Sequence, residues 1–163
     1  MLPRDLGICE SYMMRVIAIF VVLLSCGPLP ERPLPSGRQT NRVTFELIVA
    51  DPSLEAELDK ALVGWASIGL VRVKSGGQIA AVFVERVAKI ENNAAGVTNR
   101  MTRRIQVRAD LSGFKLWVTL AHEVGHAVLD TSTHTSCGIM AGQDLIPCVE
   151  DKALACRRVG LGC

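Results

Sequence analysis

The sequence predicts one domain of mixed α/β or α+β type built on a single sheet and carried by residues 42–163. Three observations lead there. From Arg42 onward, short strand-like runs, some with two-residue alternation, take turns with segments whose apolar residues recur every three or four positions, as in helices. The chain has 163 residues, 49% of them hydrophobic, enough for one core and too few for two catalytic domains. Ahead of this region, prolines at 28, 30, 33 and 35 favour extended polyproline II over packing and set the lower boundary. No internal repeat is visible. Eighteen basic residues against sixteen acidic ones give +2, without the dense Lys/Arg stripe that tracks phosphates, so nucleic acid is not an expected partner.

The elements run in order along the chain. Val43 to Ala50 reads as a buried strand, and Asp51 followed by Pro52 as a helix start, Asp capping and Pro suiting the first turn. Leu54, Leu58, Ala61, Leu62 and Trp65 then share one helical face, and Gly69 ends it. Leu70 to Val73 is a short strand, and Ser75, Gly76 and Gly77 turn the chain into a strand at Ile79 to Val84. After a less regular stretch from Glu91 to Asn99, Ile105, Val107 and Ala109 alternate with Arg104, Gln106 and Arg108, a strand with one wet face. Asp110 or Ser112 is the expected cap of the next helix, about Phe114 to Leu129, whose core face is Trp117, Leu120, Ala121, Val124 and Val128.

The beginning of the chain reads as an address. Met14 and Arg15 precede an apolar run, Val16 to Leu24, too short to span a bilayer. The run ends in Leu23, Leu24, Ser25 and Cys26, which resembles the lipobox of bacterial lipoprotein signal peptides. That resemblance implies lipidation at Cys26 and an exported, envelope-anchored protein, the alternative being ordinary secretion. Residues 1–25 are then an upstream extension plus signal peptide, with a true start at Met13 or Met14, and 26–41 a stiff tether. Four cysteines, Cys137, Cys148, Cys156 and Cys163, fall in the last part of the exported domain. An even number without a close CxxC pair is expected to form two disulfides there, with the connectivity open.

The chemistry sits in the helix from Phe114. His122 and His126, one turn apart, project from the same face, and together with Glu123 spell HExxH. Two imidazoles at that spacing can share a tetrahedral zinc, which in hydrolytic sites keeps three protein ligands and leaves a position for water. Glu123 is the expected general base toward that water and proton donor to the leaving amine.

HEVGHAVLDTSTHTSCGIM resembles the HExxH, third-histidine and Met-turn segment of metzincins, closest to compact matrixin-like bacterial members. AAGVTN, RRIQVRADL and WVTLAHEVGH are similar to the two strands and active-site helix of that clan. The resemblance implies a zincin fold: a twisted, mainly parallel sheet with an antiparallel edge strand, here about Ala94 to Thr98, an active-site helix and a C-terminal helix. It also implies extended substrate laid along that edge, Met140 beneath the zinc, and the C-terminal helix at VEDKALACRRVG, packed by Ala153, Leu154 and the disulfides. The usual pattern, HExxHxxGxxH, is broken: Leu129 stands at the glycine and Ser132 at the third histidine. A left-handed Leu129 is costly, so the helix is expected to run on to Asp130 or Thr131, with His134 the expected third ligand and Asp130 its rival.

The expected activity is that of a monomeric zinc endopeptidase acting on peptide or protein substrates, in which Glu123 activates a zinc-bound water. The rivals are a non-catalytic envelope lipoprotein that keeps the fold and binds metal or peptide, and another HExxH clan with Glu150 as third ligand.

Overall fold

In the computed structural model, which describes residues 42–161, the first strand and first helix form where the sequence places them. The leader, Cys26, the proline-rich tether and Cys163 lie outside the described residues. Strand β1 is Val43–Val49. Asp51 Oδ1 then accepts the Ser53 N–H at 2.9 Å and starts a single 3-10 turn, Pro52–Leu54, which runs into helix α1, Glu55–Ser67. The predicted face is the buried one: Leu54, Leu58, Ala61, Leu62 and Trp65 are all at most 6% exposed. Gly69, at φ 97°, turns the chain into β2, Leu70–Val73. Strand β3, Ile79–Val87, runs three residues beyond its predicted end because Glu85, Arg86 and Val87, past the end of the β1 ladder, pair with Gln106, Val107 and Arg108.

The sheet order is β2-β1-β3-β5-β4, where β4 is Gly96–Asn99 and β5 is Arg104–Arg108. The first three ladders are parallel and the last is antiparallel. A connection as short as residues 100–103 permits only antiparallel neighbours, which is why the edge strand reverses. It begins at Gly96, later than expected from Ala94, because Ala94 still closes the 3-10 turn Glu91–Asn93. One face of the sheet is dry: Phe45, Leu47, Val82, Val84, Ile105 and Val107 pack under α1 and helix α2, Gly113–Val128. From α2, Leu116, Leu120, Ala121, Val124 and Val128 enter the same core, while Trp117 is only half-buried at its margin. No described helix is long and apolar enough to cross a membrane.

The two ends of α2 differ in how they meet expectation. Ser112 is the N-cap residue, in extended geometry, but it caps with its backbone carbonyl, to Leu116 N–H at 3.4 Å, and not with its side chain, while Asp110 receives the Arg108 guanidinium. At the other end the helix stops at Val128. Leu129 keeps right-handed geometry, consistent with the cost of the alternative, and the reversal falls on Asp130, at φ 44°. Aspartate tolerates the left-handed region better than a γ-branched apolar residue does, and the Thr131 N–H bonds back to His126 O at 3.2 Å, closing the turn. Helix α3, Val149–Val159, completes the fold, buried through Leu154 and Ala155, with Ala153 only half-buried.

The helix pair is locked at one point. Trp65 Nε1 of α1 donates to Ala121 O of α2 at 2.8 Å, and the ring lies over Gly125. A Cβ at Gly125 would stand 2.4 Å from Met140 Sδ and 2.7 Å from Trp65 Cζ2. Alanine gains about 1 kcal/mol over glycine in a helix interior, but overpacking a filled core costs about 1–3 kcal/mol, and this indole is held by its hydrogen bond. Gly125→Ala is therefore expected to destabilise the protein, read as a lower urea midpoint at unchanged m-value.

Candidate metal centre

α2 brings His122, Glu123 and His126 to the cleft beside β4, and the loop after the helix returns His134 to them. The ligand nitrogens of the three histidines all lie within 4.8 Å of one another. His126 Nε2 is 3.0 Å from His122 Nε2 and 3.3 Å from His134 Nε2. His122 Nδ1 faces Ile139 O at 3.1 Å and His126 Nδ1 faces Thr131 O at 2.7 Å. Carbonyls only accept, so each Nδ1 carries the proton and each Nε2 presents a lone pair. With both Nε2 atoms unprotonated the two rings cannot hydrogen-bond to each other there, and a cation between them would satisfy both lone pairs. Three nitrogens bound tetrahedrally at zinc–nitrogen distances would sit about 3.3 Å apart, so the cluster can hold a metal ion of that size. Burial holds the His126 imidazolium pKa down, from 6.5 to about 4, against the opposing bond to Thr131 O; His122, His134 and Arg100 nearby push the same way as burial. The neutral, metal-ligating form therefore persists far into acid.

Asp130, the rival ligand, points elsewhere: its carboxylate lies 3.5 Å from Arg100 Nη1. Glu150 is engaged by the Ser136 N–H and hydroxyl, both at 2.8 Å, away from the histidines. Met140 is fully buried beneath α2, against Gly125. Cys137 and Cys148 are joined by a disulfide. Cys156 is disulfide-bonded as well.

Glu123 sits between helix and edge strand, 7% exposed. Thr98 Oγ1 lies 2.7 Å from Glu123 Oε2 and 2.9 Å from Glu123 O, so its one proton orients the carboxylate. Gly96 allows this approach, since a Cβ there would meet Glu123 Cγ at 2.8 Å and Thr119 Cγ2 at 2.7 Å. Desolvation raises the Glu123 pKa, while the Thr98 bond and, after it, the electrostatic influence of His134 oppose it. A carboxyl poised upward in pKa suits reversible proton transfer.

The chain matches no family model and no curated protein. The centre is thus characterised by its own geometry.

Two residues that hold it are missed by sequence reasoning. Thr98 reads only as part of an edge strand, and a threonine in a short strand gives no sign of a helix partner. Asp151 lies in the first turn of α3, where an acid is ordinary helix-start chemistry. It is fully buried and accepts from Ile139 N at 2.8 Å, Met140 N at 3.2 Å, Cys148 N at 3.1 Å and Thr135 Oγ1 at 2.8 Å. Ile139 in turn offers its carbonyl to His122.

Two outcomes are expected. Asp151→Asn, which turns an amide NH2 toward donors, should lower stability by about 3 kcal/mol or more, measured by chemical unfolding, and weaken metal binding through the displaced Ile139 carbonyl. Competitive zinc titration should separate the ligand candidates. Removing a group that only orients a ligand costs about 10-fold to 100-fold in affinity, so His134→Ala should lose more than that, while Asp130→Asn should lose little.

Proposed function

We propose that this protein is a zinc-dependent endopeptidase of metzincin type, with His122, His126 and His134 as ligands and Glu123 as the general acid–base residue. The observation that carries the reading is the joint presence, in one cleft, of three converging imidazoles and the buried carboxylate of Glu123, next to His122 in the chain. Zinc bound there would acidify a water molecule and polarise the scissile carbonyl. The chain's own residues do the rest. Glu123 Oε takes the proton of the attacking water and hands it to the leaving amine, and Thr98 holds that carboxylate in place between the two transfers. Among the described residues β4 is an edge strand of the sheet and borders the cleft, so its outer backbone groups can receive an extended peptide as a further strand. The cleft, about 240 Å³ and open to solvent, admits a chain rather than enclosing a small ligand.

The resemblance of residues 122–140 to the metzincin pattern supports the same assignment, with the left-handed turn moved from the glycine position to Asp130. The wider proposal is that the domain works outside the cytoplasm, tethered through an acylated Cys26. The Cys137–Cys148 disulfide supports it, since such bonds persist in oxidising compartments.

The zinc-loaded protein should cleave unstructured protein substrates, and chelation should abolish cleavage. Glu123→Gln should retain stoichiometric zinc while losing about 10²-fold to 10⁴-fold in turnover, the usual share of general acid–base catalysis. Full activity in that variant would overturn the mechanism; zinc binding without turnover in the unsubstituted protein would favour a binding module instead.

A further inference from the structure

One charged side chain in the cleft has no part in metal binding or proton transfer. Arg100 comes directly after the last residue of β4 and, among the described residues lining the cleft, is the only Lys or Arg. Its guanidinium is half used. Nη1 reaches Asp130 O at 3.3 Å and Asp130 Oδ1 at 3.5 Å, whereas Nη2 and Nε make no hydrogen bond among the described residues. The Asp130 carboxylate is 76% exposed and the Arg100 side chain 42% exposed, so this ion pair is worth little and yields easily. The remaining edge of the guanidinium is the fork that binds a carboxylate through two parallel N–H···O bonds. Among the described residues lining the cleft, the one carboxylate, Glu123, is engaged by Thr98, so no group of the cleft itself fills the free edge of the guanidinium.

We propose that Arg100 selects peptides bearing an Asp or Glu side chain on the side of the bound peptide that lies over the β4–β5 turn. Arg100 lines the cleft and follows Asn99, the last residue of β4, so a peptide laid along β4 passes the guanidinium as it reaches the β4–β5 turn. The substrate carboxylate replaces Asp130 on the guanidinium and adds the second bond that Asp130 does not make. This selection rests on the peptidase reading for the cleavage step after binding, but the carboxylate contact itself needs no turnover, and the two can fail separately.

The test uses the zinc-loaded, full-length protein in its Glu123→Gln form for binding and in its unsubstituted form for cleavage. The probes are acetylated, amidated nonapeptides of otherwise neutral sequence carrying Glu or Gln at one position at a time, with an unblocked Gln series as a further arm. Charge-assisted bonds of this kind correspond to about 10-fold to 100-fold in affinity, so at one position the Glu peptide should bind tighter than its Gln partner by that factor. Arg100→Gln should bring the two together, and Arg100→Lys, which keeps the charge without the fork, should fall between; zinc content and unfolding midpoint verify that both variants are folded. Preference for Glu without cleavage by the unsubstituted protein would sink the peptidase reading and leave the Arg100 assignment standing. Equal binding of Glu and Gln peptides, a preference that survives Arg100→Gln, or a preference shown only by unblocked chain termini would overturn the assignment, whatever the turnover.

Discussion

A single buried carboxylate holds the loop behind the histidine cluster together. Between Asp130 and Cys148 the chain forms no helix or strand, yet it must return His134 to the cleft and place Met140 under α2. Such a segment has no ladder to satisfy its buried N–H groups, and each one left unpaired costs about 1–3 kcal/mol. Asp151 takes three of them and the Thr135 hydroxyl as well. Because Ile139 is held there, its carbonyl is available to fix the His122 tautomer, so the ligand state of a histidine on α2 depends on an aspartate of α3. The Cys137–Cys148 bond ties the same loop covalently and adds to it by narrowing the unfolded ensemble.

The opposite wall of the cleft obeys a second constraint, close approach. β4 can lie against α2 at Glu123 only because Gly96 has no side chain, and that proximity puts the Thr98 hydroxyl within reach of the carboxylate. Desolvation works against the ionised form of Glu123, and the Thr98 bond restores part of what burial removes. The same burial keeps His126 neutral. One environment thus favours the neutral ligand that a metal needs and a carboxyl able to hold a proton.

Helix and strand periods, the Asp51–Pro52 start and the HExxH spacing are legible because they depend on residues close in the chain. Predicted and observed strands agree to within three residues, and the apolar face of α1 is the expected one. His134 is the expected partner of His122 and His126 as the last histidine left, with Asp130 its rival, and it does join their cluster, though the path by which it returns is not legible. The cost of a left-handed leucine does keep Leu129 right-handed, yet the helix does not run on as expected. Asp130 takes the turn instead, and Arg100 receives its carboxylate.

Local periodicity and spacing by themselves determined the core faces and the pairing of His122 with His126 on one side of α2, since a helix carries residues four apart to one side whatever surrounds it. Tertiary structure alone decided the rest. Thr98, Asp151 and Arg100 are ordinary residues of a strand, a helix start and a turn, and nothing within a few positions of them signals their partners. Their roles arise where β4, α3 and the β4–β5 turn close around α2, because a hydrogen bond between segments far apart in sequence is specified by packing and leaves no periodic trace along the chain.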